Sequence, residues 1–121
     1  MSATAKNELY LDDRDEQFLD AWKAGVIHAG EKLFGCQART PSNATHWHQL
    51  TPILPDMRKT LPNRSRADAA FIGAMASFFN AEEGQKLLTK AGCTFGDVVT
   101  VLTPKQRSII AMLMIHFKAW Q

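Results

Sequence analysis

Four tetrads in the second half of the chain constrain its fold more than any other feature. They are Ser65-Arg66-Ala67-Asp68, Asn80-Ala81-Glu82-Glu83, Thr94-Phe95-Gly96-Asp97 and Thr103-Pro104-Lys105-Gln106. Each begins with a side chain that can accept a hydrogen bond from a free backbone N–H at a helix start. Each has a carboxylate or amide three residues later that can reach back to the cap. The spacing predicts helices over 66–79, 81–90, 95–102 and from Pro104 to the chain end. Gly92 is placed to close the second of these, and Pro104 is preorganised for a first helical position. Phe71, Met75 and Phe78 recur on one stripe of the 66–79 helix, and Ile109, Ile110, Leu113, Phe117 and Trp120 mark the last helix as strongly apolar. Such a helix is either central in the core or shared with a second subunit; the reading here places it centrally.

The first third predicts one more helix. Asp12 is its expected N-cap, and Asp13, Asp15 and Glu16 fill a first turn where the helix dipole favours negative charge. Phe18, Trp22, Val26, Ala29 and Leu33 follow at spacings of three and four. That is one apolar face over about six turns, with Gly35 as the residue that ends it. Residues 1–10 read as a tail and 11–121 as a single all-α domain of four to six helices.

Between the two helical regions the periodicity fails. Pro41, Pro52, Pro55 and Pro62 fall within 22 residues. This predicts a long Pro-rich loop with one short helical turn at Pro55–Lys59. Trp47, Ile53, Leu54 and Leu61 are expected to pack it down. A loop this long in a compact domain is often functional.

The net charge of +2 is unevenly laid out: residues 1–31 carry −4, residues 32–66 carry +5, and residues 67–121 carry +1. The basic side chains Arg39, Arg58, Lys59, Arg64 and Arg66 lie in or at the exit of the loop, together with Trp47. Arginine and tryptophan are over-represented in interface hot spots, so these six residues form the expected binding surface. The alternative is an acidic surface of Asp13, Glu16 and Asp20 mimicking phosphates. No catalytic constellation is legible, and no cofactor is expected. His46-Trp47-His48, with Cys36 ten residues before, raises a zinc site as an alternative, but the further ligands such a site needs have no standard spacing. Cys36 and Cys93 are expected to be buried free thiols. The N-terminus lacks the apolar core of a signal peptide, and the longest apolar run is far too short for a bilayer. The expected compartment is therefore the cytoplasm.

Arg64-Ser65-Arg66-Ala67-Asp68-Ala69-Ala70-Phe71-Ile72, then Phe79-Asn80-Ala81-Glu82-Glu83-Gly84, then Phe95-Gly96-Asp97-Val98-Val99, resembles a small uncharacterised domain family of bacterial plasmids and phages. The resemblance covers about residues 64–100, with Phe78 and Phe79 where that family usually carries tryptophan. It implies a mobile-element origin and a bacterial host, and no site residues. The resulting expectation is a non-enzymatic accessory protein, monomer or homodimer, that binds a host protein or ribonucleoprotein complex as anti-CRISPR proteins do. A small DNA- or RNA-binding regulator and a zinc protein built on His46, His48 and a cysteine are the alternatives.

Overall fold

The computed structural model describes residues 13–118, with side chains from Glu16 onward. The expected N-cap Asp12, the tail 1–10 and Trp120 lie outside the described residues. The described residues form six α-helices: α1 Asp13–Ala29, α2 Leu54–Thr60, α3 Arg66–Phe79, α4 Ala81–Lys90, α5 Phe95–Val101 and α6 Pro104–His116. The protein is all-α, as the periodicities predict. No strand occurs among the described residues, only one isolated bridge, between Phe34 and Pro52.

All four predicted caps form. Ser65, Asn80, Thr94 and Thr103 each accept from the backbone N–H three residues on. The reciprocal bond closes at Thr94–Asp97 and Thr103–Gln106. At the other two starts the third residue is drawn elsewhere: Asp68 takes a bond from Gln106, and Glu83 pairs with Lys86.

α3 is the central helix. Every residue from Ala69 to Ala76 is buried, which requires neighbours on all sides. Its small residues let α4 lie close: a Cβ on Gly84 would stand 2.5 Å from Ser77 Cα and 2.6 Å from Ser77 N. α1 packs along α6. Their directions are opposed, because Phe18 near the start of α1 meets Phe117, with ring centroids 5.7 Å apart, and His28 near its end meets Gln106 at 3.2 Å.

Three expectations change. α1 stops at Ala29, not near Gly35, because Gly30 adopts φ +123, a conformation that ends a helix and favours glycine. Leu33 is still buried, but from a short 3₁₀ turn. α6 ends at His116, with Phe117 extended. It is also peripheral, not central: Ile109, Ile110 and Leu113 are buried, while Met114 and Ile115 are 61% and 65% exposed.

Gln106 ties the layers together. It is wholly buried. Its Oε1 accepts from Thr103 N at 3.0 Å, and its Nε2 donates to Asp68 Oδ1 at 2.8 Å and meets His28 Nε2 at 3.2 Å. Since both carboxylate and cap fix the amide's orientation, His28 Nε2 is the acceptor. One amide thus joins the start of α6, the start of α3 and the end of α1.

Candidate functional site

The Pro-rich loop is ordered by its own backbone. Gly35 N donates to Thr51 O, Ile53 N to Leu33 O and Gln37 N to Gln49 O, at 2.8, 2.8 and 3.0 Å. These bonds pair residues 33–37 with 49–53 as an antiparallel neck. The neck carries a head, residues 38–48, which is docked on α1. Trp22 Nε1 donates to Leu50 O at 2.8 Å, and Lys23 Nζ donates to Ser42 O at 3.2 Å. Trp47 is half-buried against Phe18 and Trp22, with centroids 5.2 and 4.9 Å apart. It anchors the head and is not a free contact residue.

Arg39 lies at the edge of the head. It has φ +63, the one non-glycine residue with positive φ among the described residues. Thr40 N donates to Ala38 O across it at 2.5 Å, the pattern of a γ-turn, a strained conformation for an arginine. Its side chain is exposed.

The predicted basic surface does not come together as one patch. Trp47 packs at Phe18, whereas Arg64 Nη1 donates to Ala29 O at 3.1 Å. The two anchor points are eleven residues apart on α1, or about 16 Å of helix rise. Three of the arginines serve the fold. Arg64 caps the end of α1 and also donates to Thr60 Oγ1 at 3.0 Å. Arg66 donates to Gly92 O at 2.9 Å and pairs with Asp97 at 2.8 Å, clamping α3 to the start of α5. Arg58 stands 3.9 Å from Glu83. Lys59 is exposed. Arg64 and Arg66 line one open cleft of about 360 Å³ with Pro62 and Lys90. Lys90, the last residue of α4, was not among the predicted contact residues.

On the alternative acidic surface, Glu16 and Asp20 are exposed on α1, one turn apart. Asp13 lies in the first turn of α1, and its side chain is outside the described residues.

The imidazoles of His46 and His48 stack at 5.1 Å. No group of three or more His, Cys, Asp or Glu side chains that could hold a metal ion occurs among the described residues. Cys93 is buried as expected; Cys36 is exposed, because it sits on the outer side of the neck. A small aromatic cleft of about 130 Å³ lies beside His46, lined by Phe18, Trp47, His116 and Phe117. His116 Nδ1 is buried there with no hydrogen-bond partner among the described residues.

Burial, and then the neighbouring His46, push His48 below the ordinary imidazole value. The Thr94 backbone N–H, and then the Arg66 side chain, hold Asp97 below the usual carboxylate range. Both folded values are depressed, so both groups add stability that is complete above their unfolded values and lost as pH falls. Thermal melts are therefore expected to decline in two stages: a shallow one below about pH 6.5, from His48, and a second below about pH 4, from Asp97. His48→Gln should remove the first stage and leave the second. A melting curve flat from pH 7 to 5 in the unmodified protein would contradict the assignment.

No family model matches this chain, and neither the curated proteins nor the solved structures contain a significant match to it. Among the described residues no helix is long and apolar enough to cross a membrane.

Proposed function

We propose that this is a non-enzymatic binding protein, an accessory of a phage or plasmid that acts in the bacterial cytoplasm by engaging a host macromolecular complex, as anti-CRISPR inhibitors do. The reading is carried by the head of the Pro-rich loop. A strained, exposed arginine is held at the edge of a segment pinned by the neck and by α1. Rigid presentation of this kind lowers the ordering cost of binding, and binding residues are concentrated on loops that a scaffold positions. The contact surface centres on Arg39, with the exposed Ser42, Asn43 and His46 around it. Lys59 is the other predicted cation with no intramolecular partner among the described residues. The mobile-element origin rests on the sequence resemblance of residues 64–100.

The test is phage interference in bacteria carrying defined defence systems, with and without the protein. Protection of the phage is expected against at least one system. Arg39→Glu should abolish it, and Glu16→Lys with Asp20→Lys should not. Loss with the acidic variants alone would transfer the contact to α1, and no protection in any system would overturn the reading.

A nucleic-acid regulator is the second reading, supported by the three cations Arg64, Arg66 and Lys90 around one cleft. Two of them already hold internal partners, which weakens it. Binding to duplex DNA that falls steeply with salt, and with Lys90→Glu, would favour it.

A further inference from the structure

The α1/α6 face is apolar and open. A groove of about 300 Å³ between the two helices is lined by Ala21, Ala24, Ser108, Ile109 and Met112, with Gln17 and Asp20 at the end nearer the start of α1. Beside it, Ile27 is 59% and Ile115 65% exposed. Large side chains on the rim and small ones along the floor suit the close approach of another helix. The opposed directions of α1 and α6 decide which helix. Asp20 lines the groove and Glu16 stands one turn before it, at the end of α1 that meets Phe117. Lys105 lies two turns before Met112 on the same side of α6, at the end of the face that meets the last turn of α1. The face is therefore acidic at one end, basic at the other and apolar between.

We propose that this face binds a second copy of the chain about a two-fold axis, building a four-helix bundle from α1 and α6 of each protomer. In an isologous contact, a residue at one end of the patch meets the other end of the same patch on its partner. A two-fold axis running across both helices near Ala24 and Met112 lays α1 on the partner's α1 and α6 on its α6, antiparallel, so that Lys105 and Ile27 come to the level of the partner's Asp20 and the partner's Ile115. The same operation covers the apolar centre with itself. One face supplies both halves of the charge match, which a patch evolved for an unlike partner does not require. The end charges set register and direction; the apolar centre supplies affinity. The other exposed apolar pair, Phe95 and Val99 on α5, has no such polarity and is not part of the contact.

Sedimentation equilibrium of the whole chain, from low micromolar to several hundred micromolar, tests this. Mass is expected to rise toward twice the 13.5 kDa of the chain. Ile27→Glu and Ile115→Glu alter exposed positions, so circular dichroism should be unchanged while dimerisation weakens by at least about tenfold. Phe95→Glu should leave it intact. Asp20→Lys and Lys105→Glu should each weaken the dimer, and the two together should restore it. A monomer at every concentration overturns the proposal and leaves the face to a different occupant. So does a dimer that survives Ile27→Glu and Ile115→Glu, or one that Phe95→Glu dissociates. Failure of the charge swap to restore association overturns the two-fold arrangement.

Discussion

Replacing Gln106 by leucine is expected to destabilise the protein by about 3 kcal/mol, although leucine is the more apolar residue for a wholly buried position. The volume is nearly kept, so packing is not the cause. The loss comes from what the amide leaves behind. Thr103 N loses its 3.0 Å acceptor, and the half-buried Asp68 loses the 2.8 Å donor to its Oδ1. An unsatisfied buried group costs about 1–3 kcal/mol, and more when it is charged. Gln106→Glu separates this account from a simple packing one. A glutamate can still accept from Thr103 N, as a capping box allows, but its second oxygen then faces the Asp68 carboxylate. Two carboxylates at hydrogen-bond distance cannot both remain ionised. The glutamate variant should therefore be strongly destabilised at pH 7 and regain part of its stability toward pH 5, where one proton can be shared. The leucine variant should show no such recovery. Urea melts at the two pH values check both; equal losses at both pH values would mean that Asp68 does not face the residue.

Gly84→Ala is the second large effect, and it adds only a methyl group. That methyl would press on Ser77 Oγ and also sit 2.5 Å from Ser77 Cα and 2.6 Å from Ser77 N. Backbone cannot swing aside as a long side chain does, so α4 must move off α3 and expose parts of Leu87 and Leu88, which are now buried. Overpacking of this kind typically costs 1–3 kcal/mol, and about 3 kcal/mol is expected here because the obstacle is main chain. A second substitution identifies the obstacle. Ser77→Gly removes the hydroxyl but not the backbone atoms, so it should rescue little of the loss. Full rescue in thermal melts would show that only the serine side chain stood in the way.

The helical half of this fold was legible because helix starts are local chemistry. Ser65, Asn80, Thr94 and Thr103 act within three residues of themselves, and all four caps appear where the sequence puts them. The end of α1 was misread for an instructive reason. The apolar period runs through Leu33, and Leu33 is indeed buried, but Gly30 turns the backbone left-handed first. Burial and helicity part company there, and periodicity reports only the former. Gln106 was readable as half of a capping box. Its bonds to His28 and Asp68 join residues 78 and 38 positions away, a distance over which sequence pattern carries no signal. The same holds for the basic residues. Arg64 and Arg66 look like free cations in the sequence, and only the fold shows that the Ala29 carbonyl and the Asp97 carboxylate engage them. α6 is apolar on nearly every side, so its composition cannot say which side meets the core. The exposure of Met114 and Ile115 settles that it lies at the edge.

The neck beneath the loop head is held by main-chain atoms: Gly35 to Thr51, Gln37 to Gln49 and Ile53 to Leu33. Such bonds are indifferent to side-chain identity, apart from proline. The outward residues of the head are thus released from the task of keeping the loop in shape. Arg39, Ser42, Asn43 and His46 can be exchanged while Trp47, Leu50 and the neck hold the frame. On the binding role proposed above, a protein arranged this way can follow a changing target through a handful of surface substitutions, with its interior inherited unaltered.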